Sequence, residues 1–579
     1  MSLALSLPAW LKTYQSQFIA GDITAGLIVT VMLIPQSLAY AMLAGLPPEI
    51  GLYASLLPMV AYALFGSSMT LAVGPVAVSS LMTASALIPL AAQGSADYIS
   101  LSILLALLSG LMLLVAGFLR LGFLAWFLSH PVISGFISGS AVLIAIGQLK
   151  YLLGLQFSSS GVLSSLKNLA QHLHETNTTT ALLGLSAVVF LLFARKYLGV
   201  LLKQMGISAK SSDLLTKLAP MAVVIISTAL VAIYGLDQTD KVSIVGSIPA
   251  GLPSIGLPSI QWDHINMLLL PALLISLVGF VESVSVGQSL ALKRGQRINP
   301  NSELVGIGAA NIASAISGGF PVTGGFARSV VNFSAGAQTP AAGIVSAVLM
   351  AIVIAGLTEW FYYLPQAVLS ATIIVAVIGL IDTQTLKEAW HYDKADAIAL
   401  LLTFAGVIFF GVEEGIVIGV AMSLAVLVWR SSHPHMALVG RVPGTEHFRN
   451  VERHQVDVFP GLIALRIDES IYFANSQLIA EKIEGLLSEH PSTNCVLLIL
   501  SAVNQLDTTA LGMLTELEKT LTARSITLQF AEIKGPVHDR LQQTELGERM
   551  QNRIFLSTQQ AFLDYQAKNP SLKITMSKR

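Results

Sequence analysis

Two ionisable residues interrupt stretches that are otherwise apolar enough for hydrocarbon: Glu282 in LLISLVGFVESVSVGQSLAL, and Arg328 just after the glycine pair of GGFARSVVN. A charge at membrane depth costs roughly 2.5 kcal/mol or more even on insertion scales, so it faces a cavity or a partner. Either the two form a structural ion pair, or they serve a site. On a helix, Glu282, Ser285 and Ser289 fall at i, i+3 and i+7 and share a face. Gln36 and Tyr40 stand one turn apart with Ser37 beside them, and Val76, Ser79 and Thr83 share a face after Gly74 and Pro75. Serines in membrane helices also bond their own carbonyls, so no one set decides the matter. Taken together they describe a pocket with several neutral donors, one cation, one titratable acid and positive helix ends, a combination that selects anions.

Such a pocket needs elements that bring it together inside a membrane. PQSLAYAMLAGLPPEIGLYASLLPMVAYALFGSSMTLAVGPVA, residues 35 to 77, is strongly apolar yet repeatedly broken by Pro, Gly and small polar residues. Hydrocarbon cannot hydrogen-bond a freed backbone amide, so broken helices survive there only where protein or a watery cavity receives those groups. A second broken stretch, SGGFPVTGGFARSVVN, occupies the corresponding place in the other half of the chain. Paired discontinuities of this kind point to a transporter site at the midplane between inverted repeats; the alternative is that small residues only permit close helix packing.

Composition agrees. Hydrophobic residues make up 54% of the 579 and charged residues only 11%, with mean hydropathy +0.72, whereas soluble domains carry about a quarter charged. About half of all charges lie beyond Met436, which marks a soluble end. The expected organisation is an interfacial segment (1–17), a transmembrane domain (18–432), a linker (433–455), a small α/β domain (456–568) and a tail (569–579). The N-terminus reads as a lead-in, not a signal peptide. At about 20 residues per crossing the membrane part holds about fourteen spans. Their expected starts are Gly21, Pro47, Met69, Asp97, Leu121, Thr178 and Leu214, then Met267, Glu303, Pro321, Ala341, Leu364, Ala395 and Glu414. Arg195, Lys196, Lys203, Lys210 and Lys217 crowd one connection and Lys293, Arg294 and Arg297 another, which places both clusters and both termini in the cytoplasm.

Net charge −1 leaves no footprint for nucleic acid. Cys495 is the only cysteine, so no intrachain disulfide or cysteine metal cluster forms. His172 with His174, and His433 with His435, read as loop histidines and not as metal ligands. Asn177 to Thr179 fits a glycosylation sequon, a short match that recurs by chance. No Walker loop, nucleophile elbow or HExxH helix occurs, which argues against an ATP-driven pump or a hydrolase. No cofactor is expected. In the soluble end, GLIALRI, a helix from about Asn475 to Glu489, CVLLILS, a helix from about Thr509 to Arg524, and ITLQFAEI alternate as strand and helix. Asp507 and Thr508 stand at a strand-to-helix turn, either as a cap or as a phosphorylatable switch.

PQSLAYAMLAGLPPEIGLYAS, LFGSSMTLAVGPVAVSSLM, the Glu282 segment ending in GQSLA, FPVTGGFARSVVN, VGRVPGTEHFRNVER and LRIDESIYFAN occur here in the order seen in one family. From about Phe18 to Tyr565 the chain resembles the sulfate permease (SulP) family of anion transporters and exchangers. The resemblance implies a seven-plus-seven inverted repeat with core and gate domains, followed by a cytoplasmic STAS domain, and a homodimer. It further implies that Gln36, Tyr40, the backbone through Gly74, Pro75 and Val76, and Ala327, Arg328 and Ser329 hold the anion, with Glu282 coupling transport to protons. Ala327 departs from members that carry a serine there. Asp507 and Thr508 match a motif whose hydroxyl is phosphorylated in soluble STAS proteins. The reading is a secondary active inorganic-anion carrier, proton-coupled sulfate uptake favoured, in a bacterial-type plasma membrane, with lipid around it and a cytoplasmic partner for its STAS domain. The alternatives are a sodium-coupled bicarbonate or a dicarboxylate carrier, a nucleobase carrier, or a membrane-anchored STAS signalling scaffold.

Overall fold

The computed structural model describes residues 8–126, 129–155, 157, 162–208, 211–212, 215–216, 218–256, 262–570, 572 and 574–576. Residues 1–7, the span start at Leu214, and Lys210 and Lys217 of the first basic cluster lie outside the described residues. The chain divides into two units, Met1–Ser423 and Leu424–Arg579.

In the first unit, span one is Ser16–Leu43, and span two is the pair Pro48–Tyr53 and Leu57–Phe65. Spans four to seven are Ala96–Phe118, His130–Leu152, Thr178–Phe193 continued to Gln204, and Ala219–Tyr234. Spans eight and nine are Trp262–Leu292 and Pro300–Ile316, spans eleven to thirteen are Ala341–Gly356, Gln366–Ile378 and Lys394–Phe409, and span fourteen, Val412–Ser432, begins in this unit and ends in the second. Spans three and ten are broken: strand Val73–Gly74 precedes helix Ala77–Leu87, and strand Thr323–Gly324 precedes helix Phe326–Ser334. Among the described residues eight helices are long and apolar enough to cross a membrane; the other crossings use these shorter or broken pieces. Leu121 does not open span five. It heads a separate turn, Leu121–Trp126, and the helix starts at His130 with Pro131 in its first turn, where a missing N–H costs nothing.

The helices sort into two groups. Span nine packs on spans four and two, eleven on one, and eight on four, while thirteen and twelve pack on five, and twelve also on six. Small residues set the closeness of the first group. A Cβ on Gly110 would lie 2.8 Å from the Gly308 carbonyl oxygen, and one on Gly308 2.9 Å from that of Gly110. Trp10 of the lead-in is buried and donates its indole N–H to the Ala63 carbonyl at 2.7 Å.

In the second unit, strand Leu462–Ile467 runs parallel to Cys495–Ile499, which runs parallel to Thr527–Ala531 and then Ile554–Phe555. Helices Ser476–Glu489 and Thr508–Ala523 cover one face through Ile479, Ile483, Leu514 and Leu521, and Phe562 and Tyr565 of Thr558–Lys568 cover the other. Cys495 is buried and its thiol is pushed up to about 12 by desolvation. Residues 433–455, expected as a linker, instead carry strands Met436–Arg441 and Phe448–Asn450, and the first pairs antiparallel with Leu462–Ile467. In the expected tail, Thr575–Met576 pairs with Asp457–Val458.

Candidate functional site

The two broken spans meet in an antiparallel ladder two residues long, Val73 opposite Gly324 and Gly74 opposite Thr323. So short a ladder has little stability of its own, and side chains from neighbouring spans pin it. Asn311 of span nine donates to the Val322 carbonyl and accepts the Val322 N–H, both at 2.9 Å. Ser314 donates to the Phe320 carbonyl at 2.7 Å. From span eight, Ser283 accepts the Gly324 N–H at 2.8 Å. Ser329 accepts the Ala72 N–H at 2.9 Å, and Asn332 donates to the Thr70 carbonyl at 3.0 Å.

Beyond the ladder each helix starts without a side-chain cap, at Val76 and at Gly325. First-turn N–H groups have no partner within a helix, so each start carries about half a positive charge. Between them lies Arg328, 3% exposed. Its guanidinium rests on glycine backbone, since a Cβ on Gly74 would stand 3.1 Å from Nη1 and one on Gly325 2.9 Å from Nη2. Neither Nη1 nor Nη2 has a hydrogen-bond partner. A buried guanidinium without an acceptor is costly, so Nη1 and Nη2 are the donors that this site can offer.

Tyr40, Glu282 and Arg328 are neighbours in this pocket, yet neither Nη1 nor Nη2 of Arg328 bonds the Glu282 carboxyl. Tyr40 is buried and Gln36 half-buried on the same stretch of span one. Half-buried Glu282 borders an apolar recess made with Val132, Ile133, Phe136 and Ile137 of span five and Ile416 of span fourteen. Its carboxyl therefore stands at the seam between the two helix groups.

Other sequence candidates have different work. Pro75 has no N–H to offer, so the available amides begin at Val76. Ser329 is committed on both sides: besides accepting from Ala72 it donates to the Gly325 carbonyl at 2.7 Å. Its hydroxyl thus ties the first broken span to the start of the second helix. Ser79, Thr83 and Ser285 donate to carbonyls of their own helices, Ser37 bonds Ser55 at 2.7 Å, and Ser285 and Ser289 are exposed.

Two buried acids escaped sequence reasoning. Asp22 accepts from the Gln338 and Thr339 N–H groups and the Thr339 hydroxyl at 2.7 to 3.0 Å. Glu303 accepts from the Tyr62 and Ser67 hydroxyls and the Ser67 and Ser68 N–H groups at 2.6 to 3.0 Å. Both are satisfied internally and hold loops to helix ends. Asn311 was missed too, although an Asn inside an apolar span, in GAANIAS, is itself a signal.

In the soluble unit, Asp507 caps helix Thr508–Ala523 by accepting the Ala510 N–H at 2.8 Å, and also takes the Phe473 N–H at 2.8 Å. Thr508 borders a cleft of about 680 Å³ with Tyr472, Arg540 and Thr544. Among the described residues no group of three or more His, Cys, Asp and Glu could hold a metal ion.

The sulfate permease family model matches residues 19–403, and a STAS domain model matches residues 453–561. The chain belongs to the sulfate permease family. It is 36% identical over 544 residues to sulfate transporter 4.1, chloroplastic, of Arabidopsis thaliana, a match covering 91% of this chain and 77% of that relative. Its fold is similar to that of the murine Solute Carrier 26 family member A9 anion transporter in the inward-facing state, with TM-score 0.86 at 24% identity over 97% of this chain and 94% of that one. It is also similar to the transmembrane domain of a cyanobacterium bicarbonate transporter, BicA, with TM-score 0.59 at 23% identity over 71% and 98%. At these identities the solved structures speak for the fold alone. This sulfate permease family member is a multi-pass membrane anion transporter with a STAS domain, not an enzyme.

Proposed function

We propose that this family member imports sulfate with protons by alternating access, the group of spans one to four and eight to eleven moving against the group of spans five to seven and twelve to fourteen. The observation that carries the reading is Arg328, whose terminal nitrogens are buried without partners at the meeting of two uncapped helix starts. A guanidinium offers an oxyanion two parallel N–H donors, and the helix starts offer backbone amides. The anion is held by Arg328, by the amides from Val76 and around Ala327, and by Tyr40 and Gln36.

Charge counting supports a coupled proton. Two helix starts and Arg328 give roughly +2, and an ionised Glu282 lowers this to roughly +1. Protonated Glu282 therefore matches the pocket to a dianion, and the same carboxyl stands at the seam that must open and close. By linkage, sulfate and the proton then tighten each other's binding. The protein resides in a bacterial-type plasma membrane with both termini cytoplasmic, as a homodimer, and Asp507 and Thr508 mark a face of the STAS domain for a cytoplasmic partner. Counterflow in proteoliposomes with sulfate, bicarbonate and dicarboxylates, under a proton or a sodium gradient in turn, tests the proposal. Uptake driven by sodium alone would replace it with a bicarbonate-type carrier.

A further inference from the structure

A second cavity lies on the seam between the helix groups, at the Leu43 end of span one. It holds about 520 Å³ and is bordered by spans one, three and five and by the turn joining spans thirteen and fourteen. Lys150 is the one charged residue among its described lining residues. Its Nζ donates to the Phe157 carbonyl at 3.2 Å and stands 4.8 Å from the Tyr151 ring centre and 5.9 Å from that of Phe157. An ammonium has three N–H donors, so a carbonyl and two rings hold this one in place while leaving its charge unneutralised. Gln148, 5% exposed, lines this cavity and also a small recess beyond it, where it meets Met42, Tyr151, Ser370 and Ala39, the residue before Tyr40.

Resting on the transport reading and orientation above, we propose that this cavity is an outer staging site for oxyanions. Lys150 collects the anion there, and the anion then passes Gln148 and Tyr40 to reach Arg328. One uncompensated charge in a low-dielectric vestibule raises the local anion concentration and the rate of entry, and salt screens the effect.

The test uses the full-length chain in vesicles of known sidedness. Lys150→Gln should raise the KM for external sulfate about three- to tenfold at low ionic strength, leave kcat unchanged, and differ little from wild type at high salt. Lys150→Arg should behave as wild type, and detailed balance requires unsaturated efflux through the same vestibule to slow by the same factor while its maximal rate does not change. Because Cys495 is buried, Lys150→Cys supplies the reactive thiol; an anionic thiosulfonate should label it from outside, and external sulfate should slow that labelling. An unchanged KM at low salt, a KM effect that high salt does not remove, or an introduced thiol that is unreachable from outside overturns the staging site while leaving the carrier reading intact. If wild type moves no anion, the carrier reading falls, and labelling slowed by sulfate or chloride still decides the vestibule.

Discussion

Replacing Arg328 by Ala is the most direct perturbation, because two accounts of this residue give opposite results. As an anion ligand, Arg328 waits unpaired: Nη1 and Nη2 are buried without partners and Glu282 is not bonded to it. Truncating one member of a buried, hydrogen-bonded charge pair costs about 2–5 kcal/mol. At 1.36 kcal/mol per decade that is a loss of sulfate affinity of about 30- to 5,000-fold. Arg328→Lys keeps the charge but not the fork and should fall between. Without anion, the Ala variant relieves an uncompensated buried charge, so its thermal midpoint should be no lower than that of wild type. Had Arg328 been half of a structural ion pair, removal would instead cost about 3–5 kcal/mol of stability. The assay is the thermal midpoint of purified protein in detergent, with and without sulfate, alongside equilibrium sulfate binding. Affinity within threefold of wild type, or a lower anion-free midpoint, refutes the assignment.

Glu282→Gln should still exchange sulfate but lose concentrative uptake on a proton gradient; accumulation like that of wild type in sealed vesicles would remove Glu282 from coupling. In Gly325→Ala the new methyl meets Arg328 Nη2 at 2.9 Å and Nε at 3.0 Å, and the displaced guanidinium should cost about tenfold in sulfate affinity with little change in stability, read by binding and thermal shift. Asn311→Ala strands the N–H and carbonyl of fully buried Val322, about 1–3 kcal/mol for each group, and should lower both the thermal midpoint and sulfate affinity. In the soluble unit, burial works against ionised Asp468, but hydrogen bonds from Arg466 at 2.5 and 2.9 Å and His435 at 2.7 Å outweigh it and hold the carboxyl below its usual range. That contribution to stability is present above the unfolded value of about 3.9 and is lost as pH falls through the lower folded value. Asp468→Asn should therefore destabilise the unit near neutrality and flatten its acid unfolding profile, followed by circular dichroism.

Hydrocarbon penalises charge and unpaired backbone so strongly that the spans, the two broken segments and the isolated Glu282 and Arg328 were legible from residue order alone. Alternating apolar patterns likewise disclosed the strands and helices around Cys495 and Asp507, and family motifs pointed to Gln36 and Tyr40. Which polar group faces the cavity was not legible, because a hydroxyl on a membrane helix can turn to a ligand or to its own backbone. Ser329, Ser79 and Thr83 took the second course, and Asp22 and Glu303 found three-donor and four-donor cradles, largely from residues hundreds of positions away. Ladders of two residues, such as Val73–Gly74 with Thr323–Gly324, have no period to detect, and the Met436–Arg441 segment, MALVGR, is a short apolar run without strict alternation that becomes a strand by pairing with Leu462–Ile467. Tertiary structure alone decided that Asn311 clamps the crossing and that Arg328 is left without a partner, since both depend on which distant donors and acceptors the packed helices bring within 3 Å.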